Sequence, residues 1–462
     1  MRKISLLFAI FLFLSIPSIK AQYTDLFNFD YTDGAYTQGS LTFSGGKFYG
    51  MAYAGGTKTG GCLFSIDTNG NGYVDIHDFN DTDGNGPIGD VTLIGNVIYG
   101  LTSQGGINSE GNIFCVNTDG SGFRDLHDFM GLDGMYPEGF LTHIGNKLYG
   151  MSSGTGNNYG DVFSIDTNGN GFIDLFNFND STTGTNPLGS LVLSGGTLYG
   201  MTAKGGKYLN GTIFSIDTNG SGYVDLLNFN DTNGSQPYGT LTLSGHVLYG
   251  MTTLGGANDS GCVFSIHTNG SEFKDLMDCN LEKGWFPQGL LRLSGDRLYG
   301  MTEYGGDSGY GVVFSIDTNG RGYENLLNFN GANGGNPEGN VTIVGRGLYG
   351  MAQYGGLDND GLIFRLMGVG LGIGNTQLQQ YTINVFPNPS YGTFNFYTSL
   401  MNTSNVLQTV EIYNSLGEMV YNAPLLKNDK VDLNSHPNGL YLYRVLDEKG
   451  TLISTGKLII QK

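Results

Sequence analysis

Short apolar runs separated by glycine-rich turns recur along this chain at a fixed interval. The pair Tyr-Gly stands at Tyr49, Tyr99, Tyr149, Tyr199, Tyr249, Tyr299 and Tyr349, one copy every 50 residues. Met or Leu follows each time, from Met51 and Leu101 to Met351. A second landmark is an aliphatic residue followed by Phe, at Phe64, Phe114, Phe163, Phe214, Phe264, Phe314 and Phe364. Each repeat holds four apolar runs. In the copy around residue 200 they are LVLSG (191–195), TLYGMT (197–202), TIFSID (212–217) and YVDLLNF (223–229). Tyr223, Asp225, Leu227 and Phe229 alternate with Val224, Leu226 and Asn228, the period of a half-buried strand. No segment sustains a helical period.

Four antiparallel strands in 40–50 residues make one blade of a β-propeller. A lone blade cannot bury both faces of its sheet, whereas a ring packs each blade against two neighbours. The pattern therefore predicts an all-β, seven-bladed propeller. Its ends carry complementary deficits. DLFNF (25–29) matches the fourth run of the other repeats, and the last repeat stops after LIFRL (362–366). Residues 25–29 are expected to pair with 362–366 and complete the seventh blade, since an unpaired strand would expose backbone donors and acceptors. The Tyr-Gly pair, the glycine pair Gly205–Gly206 and the stretch IFSIDTNGSGY (213–223) resemble GloVer repeats, over about residues 23–367. That resemblance implies a bacterial surface protein with a propeller-like fold and no enzymatic activity.

After Leu366 the pattern stops. Residues 368–382 form a Gly-rich linker opening GVGLGIGN, and the apolar runs of 383–462 read as a small Ig-like β-sandwich. This segment resembles the type A sorting domain of the type IX secretion system. The residues that carry the likeness are Pro387, Asn388, Pro389, Gly392, Gly417, Gly439 and Tyr441, with a basic last strand ending at Lys462. The resemblance implies the type IX machinery as a partner, export across a Bacteroidota outer membrane, and display at the cell surface or release.

The N-terminus agrees with export. Arg2 and Lys3 precede an apolar run from Ile4 to Ile16, with Ala21 a small residue before Gln22. Residues 1–21 read as a secretory signal peptide, leaving 22–367 for the propeller. The run is too short to span a bilayer comfortably, and no later stretch could cross as a helix. A formal net charge of −19 argues against nucleic-acid binding, which needs clustered Lys and Arg. It fits a soluble surface protein or weak cation binding.

Candidate chemistry is sparse, and no cofactor is implied. Cys62, Cys115, Cys262 and Cys279 form no CxxC or zinc spacing. Cys262 and Cys279 lie on consecutive strands around one turn, which makes them candidates for a cross-strand disulfide, with two buried free thiols as the alternative. In DTNGNGYVDIHD (67–78), Asp67, Asn69, Asn71, Asp75 and Asp78 fall at the ligand positions of an EF-hand loop. The flanks are strands, however, and Asn-Gly is a preferred hairpin turn, so the hairpin reading competes with a calcium site.

The six histidines sit near no recognisable nucleophile or paired carboxylates, so the chain reads as a non-enzyme. Arg292 replaces the Thr found at Thr42, Thr92, Thr142, Thr242 and Thr342, either as a local ion pair or as a contact reaching the central channel. The only tryptophan, Trp285, lies beside Phe286 in a loop between blades, and Tyr304 and Tyr310 follow in the same repeat. Such an aromatic platform suits a glycan or a protein ligand, against the alternative that Trp285 merely packs. The leading expectation is a surface-displayed, non-catalytic binding propeller. The alternatives are a polysaccharide-acting enzyme and a structural or adhesive spacer. If the tail acts as a sorting signal, mature cell-surface protein should lack residues from about 383 onward. Intact-mass measurement checks this, and a surface form ending at Lys462 would reject it.

Overall fold

The computed structural model describes residues 21–154, 159–179, 182–369, 383–386, 388–398, 408–414, 418–425, 429–446 and 452–462. Most of the expected signal peptide, nearly all of the linker, and Pro387 and Gly417 lie outside the described residues. The chain divides into two compact units, Met1–Gly372 and Ile373–Lys462.

In the first unit the repeat folds as the pattern predicts. Seven four-stranded antiparallel sheets follow one another, each with its strands in chain order except the last. In blade 4 the strands are Val192–Ser194, Thr197–Thr202, Thr212–Asp217 and Val224–Asn228. The second and third strands are buried almost throughout, because neighbouring blades cover both of their faces. Blade 7 is composite. Gln22–Asn28 pairs antiparallel with Leu362–Met367, from Gln22 opposite Met367 to Asn28 opposite Leu362. Phe29 then donates its backbone N–H to the Gly361 carbonyl at 3.0 Å and enters the core against Leu41, Phe48 and Phe64. The ring closes between the two ends of the repeat array, as expected.

Each core lies between blades rather than within one. Tyr49, Met51, Leu63, Ile76 and Phe79 of blade 1 pack on Val91, Ile98, Phe114 and Val116 of blade 2. The Tyr-Gly landmark has two separate causes. Tyr49 belongs to that inter-blade core, while Gly50 lies opposite Phe64 across the ladder and receives its ring. A Cβ on Gly50 would sit 2.7 Å from the Phe64 Cζ. Aromatic pairs tie successive blades farther out. Phe27 stacks on Tyr73 at 4.5 Å and Phe176 on Tyr223 at 4.3 Å. His77 and His127 take the same role, stacking on Phe123 at 3.9 Å and Phe172 at 3.8 Å. These two histidines are therefore packing residues, held also by Asp83 and Asp133.

Around the axis the blades meet backbone to backbone. Gly39, Gly89, Gly139, Gly189, Gly239, Gly289 and Gly339 form a ring, and a Cβ on any of them would come within 2.1–2.5 Å of a carbonyl oxygen of the next blade. One turn deeper, threonine hydroxyls donate across each boundary. Thr42 reaches the Val91 carbonyl at 2.9 Å and Thr92 the Leu141 carbonyl at 2.6 Å, and Thr142, Thr242 and Thr342 repeat the bond. Val192 has no hydroxyl to offer, and Arg292 substitutes its Nε, 3.3 Å from the Val341 carbonyl.

The second unit consists of a three-stranded and a four-stranded sheet. Phe394, Phe396 and Val431 from the first share one core with Val410, Ile412, Tyr443 and Leu458 from the second, so the sheets form a sandwich.

The glycine ring yields a stability test. Gly289→Ala should lower stability by about 2–3 kcal/mol, because a backbone oxygen must move to admit the methyl. Gly196→Ala, with nothing within 4 Å of its Cβ, should be neutral within about 0.5 kcal/mol. Denaturant unfolding of the two variants checks this, and equal midpoints would refute the ring's role.

Candidate functional site

The segments joining fourth strands to the next first strands, and those joining second to third strands, emerge at one end of the ring. Paired bridges between the two sets confirm it, as at Ala35–Ala54, Trp285–Tyr304 and Gly335–Tyr354. Before the chain descends to the axis, the residue at one repeat position adopts a left-handed backbone in every blade. Six of the seven are not glycine: Tyr36, Tyr136, Asn186, Gln236, Phe286 and Asn336, with φ between 51° and 58° except for Phe286 at 63°. Such a conformation costs about 1–2 kcal/mol for a residue with a Cβ. Here backbone bonds from the neighbouring loop hold it, for example Phe286 N–H to the Ser260 carbonyl at 3.2 Å.

On this end the expected platform assembles in part. Trp285 stacks on Tyr304 at 4.8 Å, and the two exchange backbone hydrogen bonds of 2.9 and 3.1 Å. Phe286 meets Tyr304 edge-on at 5.9 Å. Tyr238 continues the arc toward Phe286, and Tyr354 pairs with Tyr36 at 5.5 Å. Tyr310 does not join it. Its ring covers Gly331 and Gly335 of the next loop, and its backbone accepts from Asn336. Arg292 lies deeper, in the wall of the axial channel, where it donates to the Asn340 Oδ1 at 3.0 Å. Asn340 in turn donates to Asp90 across the ring at 3.1 Å. The contacts of Arg292 there are hydrogen bonds to the Asn340 side chain and the Val341 carbonyl.

Sequence reasoning missed the residues at the channel mouth. The turns that lead into the glycine ring, Pro-x-Gly in six copies and Thr37-Gln38-Gly39 in the first, place Gln38, Ile88, Glu138, Leu188, Tyr238, Gln288 and Glu338 around a cavity of about 270 Å³. Glu303, 7% exposed, stands beside them and accepts from Gln288. Burial pushes the Glu138 carboxyl up to about 7. Burial, then the charges of Glu303 and Glu138, push Glu338 up to about 8. Glu303 is also raised, mainly by burial. The legible signal was the middle residue of Pro-x-Gly, which varies between copies whose neighbours repeat. Arg292 and the Trp285 region are thus not the only breaks in repeat symmetry.

The disulfide is not formed: all four cysteines are free and buried. The strand register is the reason. Cys262 pairs with Asp278, so Cys279, one residue on, faces the opposite side of the sheet. Cys262 contacts the Thr252 hydroxyl at 3.3 Å, while Cys279 fills the next inter-blade core against Leu291 and Leu298.

In the second unit the sorting-signature residues hold loops onto the sheets. Asn388, beside Pro389, donates to the Lys457 carbonyl at 2.6 Å and accepts from the Ile459 N–H at 2.8 Å. Gly392 has φ +121°, and a Cβ there would strike Asn434 at 2.7 Å. Gly439 opens the strand Gly439–Leu446, and buried Tyr441 donates to the Pro437 carbonyl at 2.9 Å.

The Gloeobacter/Verrucomicrobia repeat matches residues 12–207, 76–251 and 197–370, and the secretion system C-terminal sorting domain matches 384–461. The chain belongs to the Gloeobacter/Verrucomicrobia repeat family. Its sorting domain supports secretion or an outer-surface location through the type IX machinery. No curated protein is matched. Among solved structures it is similar to the extracellular domain of a one-component system, BT4673, from B. thetaiotaomicron, at 9% identity and TM-score 0.47. The match covers 92% of this chain and 57% of that one, so the repeat protein spans little more than half of its length. Polysaccharide lyase Uly1 matches at 9% identity over 74% of this chain and 91% of that one, TM-score 0.46. The β-propeller domain of the Trilobed protease from Pyrococcus furiosus matches at 9% identity over 81% and 94%, TM-score 0.31. These likenesses concern architecture alone.

The calcium-like string of this repeat protein is a hairpin. Asp67 N–H bonds the Asn71 carbonyl at 3.0 Å and Gly70 N–H bonds the Asp67 carbonyl at 2.9 Å. Asp78 lies opposite Cys62, at the far end of Cys62–Asp67 from Asp67 itself, about 16 Å away at the rise of a strand. Asp67, Asn69, Asn71, Asp75 and Asp78 therefore do not converge on one point. Asp78 instead caps a loop by accepting from the Thr57 N–H at 3.0 Å. It also sits beside Asp75, and burial followed by that neighbouring charge pushes Asp75 up to about 6. Asp125 and Asp275 are raised likewise to about 6, beside Asp128 and Asp278. In blades 3 and 4 the partner is Asn177 or Asn228, which donates to Asp174 or Asp225 at 2.5 Å.

The sign of the pH effect follows. A carboxyl whose folded pKa is raised above its unfolded value loses its contribution as pH climbs through the folded pKa. Asp278→Asn should therefore stabilise the protein above pH 6, with the gain vanishing below about pH 4. Because Asp275 is only partly covered and solvent screens it, the gain is held to the order of 1 kcal/mol. Thermal melts at pH 4 and pH 8 check this, and a gain that is equal at both would refute the like-charge account.

Proposed function

We propose that this protein is an exported, surface-displayed binding propeller that performs no chemistry, and that its ligand-binding end is the one bearing the channel mouth. The observation that carries this reading is the gathering of symmetry-breaking residues there. Strands and hairpin turns repeat almost without change, while Trp285, Phe286, the equivalent pair Tyr304 and Tyr354, and the equivalent pair Glu138 and Glu338 depart from the other copies and lie on one end. A rigid ring of seven blades fixes their positions, so little conformational freedom is lost on binding. The ligand is a glycan or a protein, both of which use aromatic faces and flanking polar groups.

A second reading, an enzyme acting on polysaccharide, draws on the three mouth carboxyls, since paired carboxyls can serve as acid and base. Against it, none of the five propeller histidines lines the mouth cavity, and Arg292 is turned into the wall below it. Incubation with polysaccharides and measurement of reducing ends or unsaturated products separates the two readings.

The binding reading predicts that Tyr304→Ala and Tyr354→Ala each weaken capture of surface ligands about tenfold or more, at about 1.4 kcal/mol per factor of ten. Lys147→Ala, at the opposite end, should leave capture unchanged. A glycan array combined with pull-down from cell-surface extracts checks this with the full mature protein. Capture lost in Lys147→Ala but kept in the two tyrosine variants would place the binding end on the wrong side.

A further inference from the structure

Charge is distributed unequally between the two ends of the ring. Among the described residues, the segments at the mouth end carry sixteen Asp and Glu against four lysines, Lys58, Lys204, Lys207 and Lys283, and no arginine. The turns at the other end carry three acids, Asp119, Asp296 and Glu272, against Arg321 and Arg346. The net charge of the propeller is thus concentrated on the end that bears the aromatic arc. Low-dielectric walls around a cleft of one sign focus its field outward.

Inside the mouth the imbalance sharpens. Glu138, Glu303 and Glu338 are held close enough that Glu338 feels the charges of both others. No Lys, Arg or His pairs with any of the three among the described residues. Their hydrogen-bond partners are neutral: Gln288 and Tyr304 for Glu303, Gln353 for Glu338. Buried carboxyls are ordinarily paired with cations, because an uncompensated charge out of water is costly. Tyr304 and Tyr354 stand next to these carboxyls and share their field, adding aromatic rings to which a cation is attracted.

We infer that the mouth receives a lysine or arginine side chain from a basic segment of a partner protein. This inference rests on the reading of the mouth end as the binding end, and it names the class of ligand. The reach of the charge decides for a peptide over an amino sugar. Glu138 and Glu338 line the cavity of about 270 Å³, into which a thin stem can carry a charge at its tip. Lysine and arginine have such stems, whereas a sugar amine is fixed to the ring itself and the whole ring would have to enter. The surrounding acids then attract the remaining positive charges of the segment, which a neutral glycan would not exploit.

The test uses the full mature chain and a tetralysine peptide, read by calorimetry and by fluorescence of Trp285, the only tryptophan and itself in the arc. The comparison probes are the same peptide with all side-chain amines acetylated and a neutral N-acetylglucosamine hexamer. The variants are Glu138→Gln with Glu338→Gln, which are compatible with the fold because Gln38 and Gln288 hold that position in other blades. Glu324→Gln, on a fourth strand near the opposite end, controls for general attraction. Saturable binding of tetralysine is expected, weakened at least tenfold by the double variant, within twofold of the parent in Glu324→Gln, and absent for the acetylated peptide. Equal weakening in Glu324→Gln and the double variant, binding of the acetylated peptide, or no tetralysine binding would overturn the inference. In the last case, binding of the hexamer that Tyr304→Ala removes would leave the mouth as the binding end and replace the ligand class. Failure of the tyrosine variants to affect any captured ligand would remove the broader reading instead.

Discussion

At the axis the seven blades come so close that only glycine fits between them, and the rest of the propeller depends on this approach. A carbonyl oxygen of each blade lies where the Cβ of the preceding blade would be. With the backbones set at that distance, the threonine hydroxyls one turn below reach across five of the seven boundaries. The large side chains farther out, such as Tyr49, Phe79 and Phe114, then fill the wedge that opens between sheets. The geometry runs outward from a contact that contributes little hydrophobic area of its own. A methyl group there would have to be accommodated by displacing a whole blade, because protein interiors are close-packed and offer no slack.

The same approach shapes the mouth. The turn that delivers each glycine, Pro-x-Gly in six of the seven copies, also delivers the residue before it to the rim of the channel. Seven positions are therefore presented in a circle, and only their side chains are free to vary without disturbing the ring. This separates framework from rim within a single repeat. Glycine holds the framework, and the residue before it sets the character of the rim. Closure by Gln22–Asn28 serves the same end, since an open seam would let the circle of rim residues spread.

Burial without ionic compensation gives this protein its electrostatic character. Partial burial, then a neighbouring carboxylate, raises Asp75, Asp125 and Asp275 where other blades use asparagine, and the half-buried mouth carboxyls Glu138 and Glu338 have no cation paired to them among the described residues. The first group lies at the outer edges of the blades and affects stability alone. The second lines a cavity at the channel mouth. Position in the ring, rather than residue type, separates the two groups.

The spacing of Tyr-Gly, the count of seven and the complementary deficits at the ends were all legible in the chain, because a repeat records its own architecture seven times. The sorting-domain motifs were equally local. The Cys262–Cys279 pair was misread because a one-residue difference in register, invisible in a sequence, moves a side chain to the other face of the sheet. The meeting of Glu138, Glu303 and Glu338 was also out of reach. Glu303 and Glu338 come from consecutive repeats, but Glu138 lies far from both along the chain, and only closure of the ring brings it to the same opening. The sequence determined what each blade is; the tertiary structure decided which variable positions share a mouth, since their proximity comes from rotational symmetry about the axis and not from neighbourhood in the chain.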